Sequence, residues 1–397
     1  MRDVLRAKNR ELADDIDRLL EHIDRVDIPL ELNPFRLQIR RQCVFFRDKV
    51  KRNLDILASK TKTDLLLEEV ISYTSNTTMY VRLMSDTIVP ALIRDPYGTQ
   101  LSQRIILWVH RQHVQSRTVF PATSDGGWSI FSMVQFPIYY IPLLQQNRLL
   151  QQPLLFHEFG HLLHRLHQAE VDDLIREFQI TVIRKLHSAL GSNDRYYEQQ
   201  LQKNNRIATT WYSWIVEIFC DSVGFTLGGP SYLKAFSLAL SSVSPQDFHM
   251  NIDNIIGSSH PVTWLRVKFL AERANAEGFV DISNRILSQW NETANVLGIK
   301  EDYYGMYDPV LHRSIVDIVD DMIVETDPRR YTDVDLAMTS RNVFATPIRL
   351  LDKAWHQFES DPEGYQEWEE MAIQQYLSVD FEPPILKLLN ENNKGSA

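Results

Sequence analysis

The residues of this sequence best suited to chemistry are His157, Glu158 and His161, which stand in the pentapeptide HEFGH. Two histidines four residues apart project from one face of a helix, about one turn apart, so both imidazoles can reach one metal ion. A carboxylate beside the first histidine can then face an open position on that metal, as in zinc hydrolases that activate water. The spacing therefore predicts a metal site with its own general base.

Apolar residues surround this motif and indicate that its helix is buried: Leu154, Leu155, Phe156, Phe159, Leu162 and Leu163. Buried His and Glu side chains need polar partners, which a metal would supply. The alternative is a pair of helix histidines that only pack or face solvent, because short motifs also occur by chance. Gly160 lowers helix stability relative to Ala. Because glycine has no side chain, its use here indicates that another backbone or a substrate approaches the helix closely at this position.

A catalytic zinc needs a third protein ligand, and two histidines after the motif are candidates for it. His167 has the spacing of the pattern HExxHxxGxxH, but His164 occupies the position of the glycine that turns the chain back to the metal. The intervening residues predict a continuing helix, which would point His167 away from the site. His164 lies on the correct face but about 10 Å from His157, so we expect it beside the site and not on the metal.

Glu217 is the better third ligand. It lies with Asp221 on one face of a helix that is otherwise apolar and is predicted to stop at Gly228–Pro230. Two buried carboxylates on one face repel each other and lose hydration, and a divalent cation with its histidine ligands would remove both costs. Asp221 would then accept a hydrogen bond from the outer nitrogen of a ligand histidine. A solvated face or a structural ion pair is the alternative.

A third polar segment, SSHPVTWLR, begins at Ser258. Pro261 suits the first turn of a helix, with Ser259 or His260 at its cap, and this helix is predicted to end near Gly278. A histidine at a helix entrance can swing toward a cleft and donate a hydrogen bond to the oxyanion of a tetrahedral intermediate. The alternative is a capping or surface histidine.

In this order the three segments resemble the gluzincin zinc peptidases, which include the HtpX-like and CAAX-type membrane peptidases and their small soluble relatives, the minigluzincins. Their pattern is HExxH, then ExxxD on a second helix, then a His-Pro pair with an Arg five residues after the proline. The matching residues are His157, Glu158, His161, Glu217, Asp221, His260, Pro261 and Arg266. The resemblance covers roughly residues 130–280.

The resemblance implies a role for most of these residues. His157, His161 and Glu217 would bind Zn²⁺, Glu158 would be the general base, and His260 would stabilise the transition state. Spacing gives Arg266 no role, and pairing with an acidic group next to the metal ligands is one expectation for it.

Composition sets further bounds. The 397 residues are 44% hydrophobic and 24% charged, which is typical of a folded soluble protein with two or three domains. A net charge of −10 predicts no overall attraction to nucleic acid. No uninterrupted apolar run of about 20 residues is present, unlike in the membrane peptidases. Two distant cysteines, Cys43 and Cys220, and an N-terminus without the apolar core of a signal peptide predict a cytoplasmic location.

The elements predict a mainly α fold with a small β-sheet (α+β). Three regions are expected: a helical region at 1–117, a gluzincin-like metallopeptidase core at 118–285 and a second helical region at 286–397. Short strands are expected within 118–142, with Ile138–Pro142 as an edge strand that could hold a substrate backbone.

These observations predict a zinc-dependent metalloprotease that acts on a peptide or protein substrate. The alternative is a catalytically silent or partner-activated scaffold or sensor, whose helical flanks bind a regulatory protein. An intact Glu158 favours the enzyme, because a purely structural site needs no general base.

Overall fold

The computed structural model describes residues 1–59, 64–188, 197–242, 244–249, 258–303, 305–333 and 346–379. The predicted fold class is confirmed, because helices dominate these residues and their one sheet has three short strands. None of the described helices is both long and apolar enough to cross a membrane. The helices are α1 Arg2–Arg25, α2 Asn33–Ala58, α3 Asp64–Leu83, α4 Pro90–Ile93, α5 Gln100–Gln112, α6 Leu155–Leu166, α7 Gln168–Ser188, α8 Tyr197–Leu240, α9 Thr263–Ala276, α10 Val280–Leu297, α11 His312–Thr326, α12 Pro347–Ser360 and α13 Tyr365–Ser378.

Contacts divide the chain into two compact units. The first contains Met1–His110, Arg117–Asn147 and the described residues from Leu377 onward, and the second contains Arg111–Ser116 and Arg148–Tyr376. The sequence placed its boundaries elsewhere, after residues 117 and 285. In the structure the strands group with the N-terminal helices, and the helices after residue 285 group with the three motif segments.

The first unit is built on the packing of α1 against α2 and α3. Apolar residues at helical spacing on α1 form one buried face, because residues three and four apart lie on the same side of a helix: Leu12, Ile16, Leu20 and Ile23. Phe35, Ile39 and Val50 of α2 complete the same core. These helices lie within the region, 1–117, that the sequence predicted to be helical.

The sheet of the first unit contradicts one expectation. Its strands are β1 Ala122–Asp125, β2 Ser129–Phe131 and β3 Ile138–Ile141, in the order β1-β3-β2. β3 is therefore the central strand, parallel to β1 and antiparallel to β2, and the prediction of an edge strand there was wrong. Pro142 misled the prediction, because it follows the last paired residue and so removes no ladder hydrogen bond.

The second unit is organised around α8. Its residues are buried on every face from Trp214 to Gly229, which is typical of a central helix surrounded by others. α6, α7, α9 and α11 all pack against it. The HEFGH helix and the Glu217 helix are therefore direct neighbours.

The regular helix that carries Glu217 ends at Gly229, as predicted, where φ is 54° and ψ is −137°. A second helical run begins at Pro230 beyond this kink, where proline is tolerated because it stands in a first turn. The predicted start of α9 differs from the structure. α9 begins at Thr263 with Val262 as its N-cap, so neither Ser259 nor His260 caps it. His260 instead lies in a bend before the helix. The predicted end near Gly278 is confirmed, since α9 ends at Ala276.

Candidate metal centre

Three side chains from two helices converge on one point. The ligand atoms of His157, His161 and Glu217 all lie within 4.8 Å of one another, the one group in the described part of the chain arranged to hold a metal ion. The Nε2 atoms of His157 and His161 are each 3.5 Å from a different oxygen of Glu217. Two imidazoles and one carboxylate are the ligands of a catalytic zinc site that keeps one position open.

Gly160 explains how the two helices come so close. A Cβ atom added to Gly160 would lie 2.8 Å from the Cα atom of Cys220 on α8, closer than real Cβ contacts. Gly228 of α8 also allows a close contact with α6, because a Cβ atom added to it would lie 2.9 Å from the ring of Phe156. The sequence predicted a close backbone approach at Gly160, and the neighbour is the residue between Glu217 and Asp221.

We expect Gly160→Ala to destabilise the second unit by about 1–3 kcal/mol, because the added methyl meets backbone atoms that cannot rotate away. At an exposed helix position the same change would instead stabilise by about 1 kcal/mol. Separation of α6 from α8 should also weaken zinc binding. Urea unfolding and a zinc titration measure both effects, with Gly127→Ala as the control because an added Cβ there meets nothing within 4 Å. An unchanged zinc affinity would show that the close approach does not set the site.

Asp221 connects the site to Arg266. Its Oδ1 atom accepts a hydrogen bond from Nδ1 of His157 at 2.8 Å, which leaves Nε2 of that histidine to face the metal position. Arg266 donates two hydrogen bonds to the same carboxylate, at 2.8 and 2.7 Å. The guanidinium also lies over the ring of Phe236, 5.2 Å from its centroid. Asp221 therefore contacts His157 as the sequence predicted. Arg266 holds the Asp221 carboxylate, which in turn orients His157.

The surroundings of Glu217 fit a bound cation. Its Oε2 atom is buried and makes no hydrogen bond, although nitrogens of His157, Arg266 and His260 stand 3.3–3.5 Å away. A buried carboxylate oxygen that has cationic neighbours but no hydrogen bond fits an absent cationic ligand. The cluster also brings the carboxyl groups of Glu158, Glu217 and Asp221 close together, next to the guanidinium of Arg266 and the ring of His157. A divalent cation would replace the proton of His157 and supply a ligand for this oxygen.

Glu158 is buried beside these ligands. Its residue is only 6% exposed, yet it has neither a hydrogen bond nor an ion pair to any described residue. Burial raises the pKa of its carboxyl group, and the neighbouring charge of Glu217 adds to that rise. A higher pKa makes the carboxylate a stronger base near neutral pH. The position and the environment both suit a group that takes a proton from water.

The two histidines differ electrostatically. Burial opposes the charged form of His157, but its hydrogen bond to Asp221 and the nearby carboxylate of Glu217 outweigh burial and raise the pKa to about 10. Burial, together with the charge of His157, lowers the pKa of His161 to about 3. His161 is therefore neutral at physiological pH, which is the form that can bind a metal. His157 must release its proton when a metal binds.

His260 also reaches the centre. Its Nε2 atom lies 3.4 Å from Oε2 of Glu217, and its side chain is 56% exposed. The histidine thus stands at the solvent side of the cluster, where a substrate could meet it. Although it does not cap α9, the segment before that helix brings it to the predicted place.

The other two histidines after the motif lie outside the cluster. His167 ends α6 and is not among the ligand group, as the sequence predicted. His164 faces α7, with Nε2 3.5 Å from Oδ1 of Asp172, and that carboxylate accepts a hydrogen bond from Tyr212 at 2.6 Å. His164 is not part of the ligand group.

Sequence reasoning missed two residues that hold the site. Trp214 is fully buried, and its Nε1 atom donates a hydrogen bond to the carbonyl of Ser258 at 3.1 Å. Tyr232, placed after the kink in α8, brings its hydroxyl 3.5 Å from Oδ1 of Asp221. Trp214 could have been found, because it lies three residues before Glu217 and so shares its helix face. Tyr232 carries no such signal, since the kink at Gly229 decides where it lies.

Comparison of the chain with protein-family models, with curated proteins and with solved structures finds no match.

Proposed function

We propose that this protein is a zinc-dependent peptidase of the gluzincin type. The observation that carries the proposal is the convergence of His157, His161 and Glu217 on one point, with the unpaired carboxylate of Glu158 beside them. A structural zinc site fills all four positions with protein ligands, whereas three ligands and a nearby base are typical of catalysis. The ordered segments HEFGH, EIFCD and HPVTWLR support the gluzincin assignment.

The chain's own groups supply the steps of hydrolysis. When bound, a zinc ion supplies Lewis-acid chemistry, which lowers the pKa of water and polarises a carbonyl oxygen. Glu158 takes the proton from the attacking water and passes it to the leaving amine. His260 donates a hydrogen bond to the oxyanion as charge develops there. Asp221 and Arg266 keep His157 in the orientation that points Nε2 toward the metal position.

Zinc content and its removal test this proposal. We expect the purified protein to contain about one zinc per chain, since the described residues form one such ligand group. A chelator should abolish cleavage of a quenched fluorescent peptide library, and added Zn²⁺ should restore it. Mass spectrometry of the products identifies the bond that is cut. A protein that binds no stoichiometric metal would contradict the proposal.

The alternative is a metal-binding scaffold or sensor that acts through a protein partner. It predicts bound zinc without turnover of any peptide, both in the wild type and in Glu158→Gln. Glu158 favours the enzyme, because a purely structural metal site needs no general base. For the peptidase we also propose a cytoplasmic location, a peptide or protein substrate and a regulatory protein that binds the helical flanks.

A further inference from the structure

His260 is an exposed side chain with an unusually constrained setting. Its main-chain N–H donates to the hydroxyl of Ser258 at 3.3 Å, and its carbonyl accepts from the same hydroxyl at 2.8 Å. Its ring nitrogen Nδ1 lies 2.8 Å from the hydroxyl of Ser259. Exposed side chains usually keep their rotamer freedom, so ordering one in this way has an entropic cost. The hydrogen bonds fix both the backbone and the ring of this histidine.

The segment itself is fixed to the ligand helix. Trp214 of α8 donates its indole N–H to the carbonyl of Ser258, and Trp214 is held in turn against Trp211, with ring centroids 5.3 Å apart. Trp214 stands about one turn before Glu217 on the same helix. The position of His260 is therefore set by the element that carries the third ligand, and not by a free loop.

The arrangement also selects a tautomer. Nε2 of His260 faces Oε2 of Glu217 at 3.4 Å, and that oxygen offers only lone pairs. A neutral imidazole with a lone pair on Nε2 would face it unfavourably, so Nε2 carries the hydrogen. Nδ1 must then accept, and among the described residues its partner at hydrogen-bonding distance is the hydroxyl of Ser259. That hydroxyl can donate, because its rotor is free to turn.

We infer that Ser259 is a positioning residue: its hydroxyl donates to Nδ1 of His260 and so presents the Nε2–H group toward the metal centre. When Glu217 binds a metal, its oxygen no longer selects the tautomer, and Ser259 is the remaining partner of the ring. An oriented N–H donor at this place meets the oxyanion without reorganising during the reaction. The catalytic use of this donor rests on the proposed peptidase function, whereas the hydrogen bond itself does not.

Ser259→Ala tests the inference in the zinc-loaded protein. Nitrogen NMR of labelled histidine, with His260 assigned by loss of its signals in His260→Gln, should show the hydrogen on Nε2 in the wild type. The Nδ1 signal should move in Ser259→Ala toward that of an acceptor without a hydrogen bond. We expect kcat to fall about 10-fold while KM and zinc content stay the same. The reason is that Ser259 orients the ring of His260 but does not itself bind the substrate. Ser259→Thr keeps the hydroxyl and should restore both readouts.

Three results decide between outcomes. A hydrogen on Nδ1 in the wild type, or an unchanged Nδ1 signal in Ser259→Ala, would overturn the inference. An equal loss of kcat in Ser259→Thr and Ser259→Ala would show a structural role instead. Ser360→Ala is the matched control. The exposed hydroxyl of Ser360 donates to the carbonyls of His356 and Gln357 in its own helix, so this substitution should change neither readout. If the wild type cleaves no peptide, the peptidase proposal fails, while the NMR signal still decides the hydrogen bond.

Discussion

Glu158→Gln should abolish peptide hydrolysis and leave the bound zinc in place. The amide has the volume of the carboxylate but cannot accept a proton from water, so the step assigned to Glu158 is lost. General base catalysis typically contributes about 10²–10⁴-fold, and we expect kcat to fall within that range. Glu158 lies outside the ligand group, so zinc content should stay near one per chain.

The same substitution tests the alternative function. Replacing Glu158 removes one buried carboxylate that lies close to Glu217, so it should not destabilise the fold through lost pairing. Turnover by a stopped assay, zinc by elemental analysis and stability by thermal unfolding separate the three effects. Glu170→Gln is the control, because Glu170 is exposed on α7 and should behave as wild type. Full activity of Glu158→Gln would exclude Glu158 as the base.

Glu217→Gln should remove most of the stabilisation that zinc gives. The substitution keeps the shape of the side chain but takes away the charged ligand that spans both histidines. At a zinc concentration 100 times the Kd, binding stabilises a protein by about 2.7 kcal/mol. If the affinity falls about 100-fold, the same concentration adds only about 0.4 kcal/mol. Thermal unfolding with and without zinc measures this difference.

A second buried glutamate provides the control for that experiment. Glu369 accepts hydrogen bonds from the main-chain N–H of Leu149 at 2.7 Å and from Tyr365 at 2.8 Å, and no metal ligand contacts it. Glu369→Gln should therefore destabilise the zinc-free protein while the increment from zinc stays as in the wild type. An undiminished increment in Glu217→Gln would mean that zinc binds elsewhere, which would remove the basis of the proposed peptidase.

Local sequence was sufficient for much of the fold. The spacing of Leu12, Ile16, Leu20 and Ile23 predicts α1, because a helix repeats its faces every three to four residues. The pair His157 and His161 is fixed in the same way by helix geometry alone. The strand order of the sheet was harder to predict. A central strand such as β3 and an edge strand look alike over four residues, and the order depends on pairing between separate strands.

The assembly of the site required distant contacts. Sequence could name Glu217 and Asp221, because two acids on an apolar helix face need an explanation. It could not show that Arg266, 45 residues after Asp221, donates two hydrogen bonds to it. It also placed the cap of α9 wrongly, because the bend at His260 is held by Trp214 and not by the helix that it precedes.

The sequence by itself determined which side chains could bind a metal and on which helices they lie, because those properties follow from residue type and from the period of the helix. The tertiary structure decided that they meet. Gly160 allows α6 to approach the backbone of α8 at Cys220, and this contact brings His157 and His161 within reach of Glu217. Convergence depends on the packing of helices that are separated in the chain, and no local pattern encodes that distance.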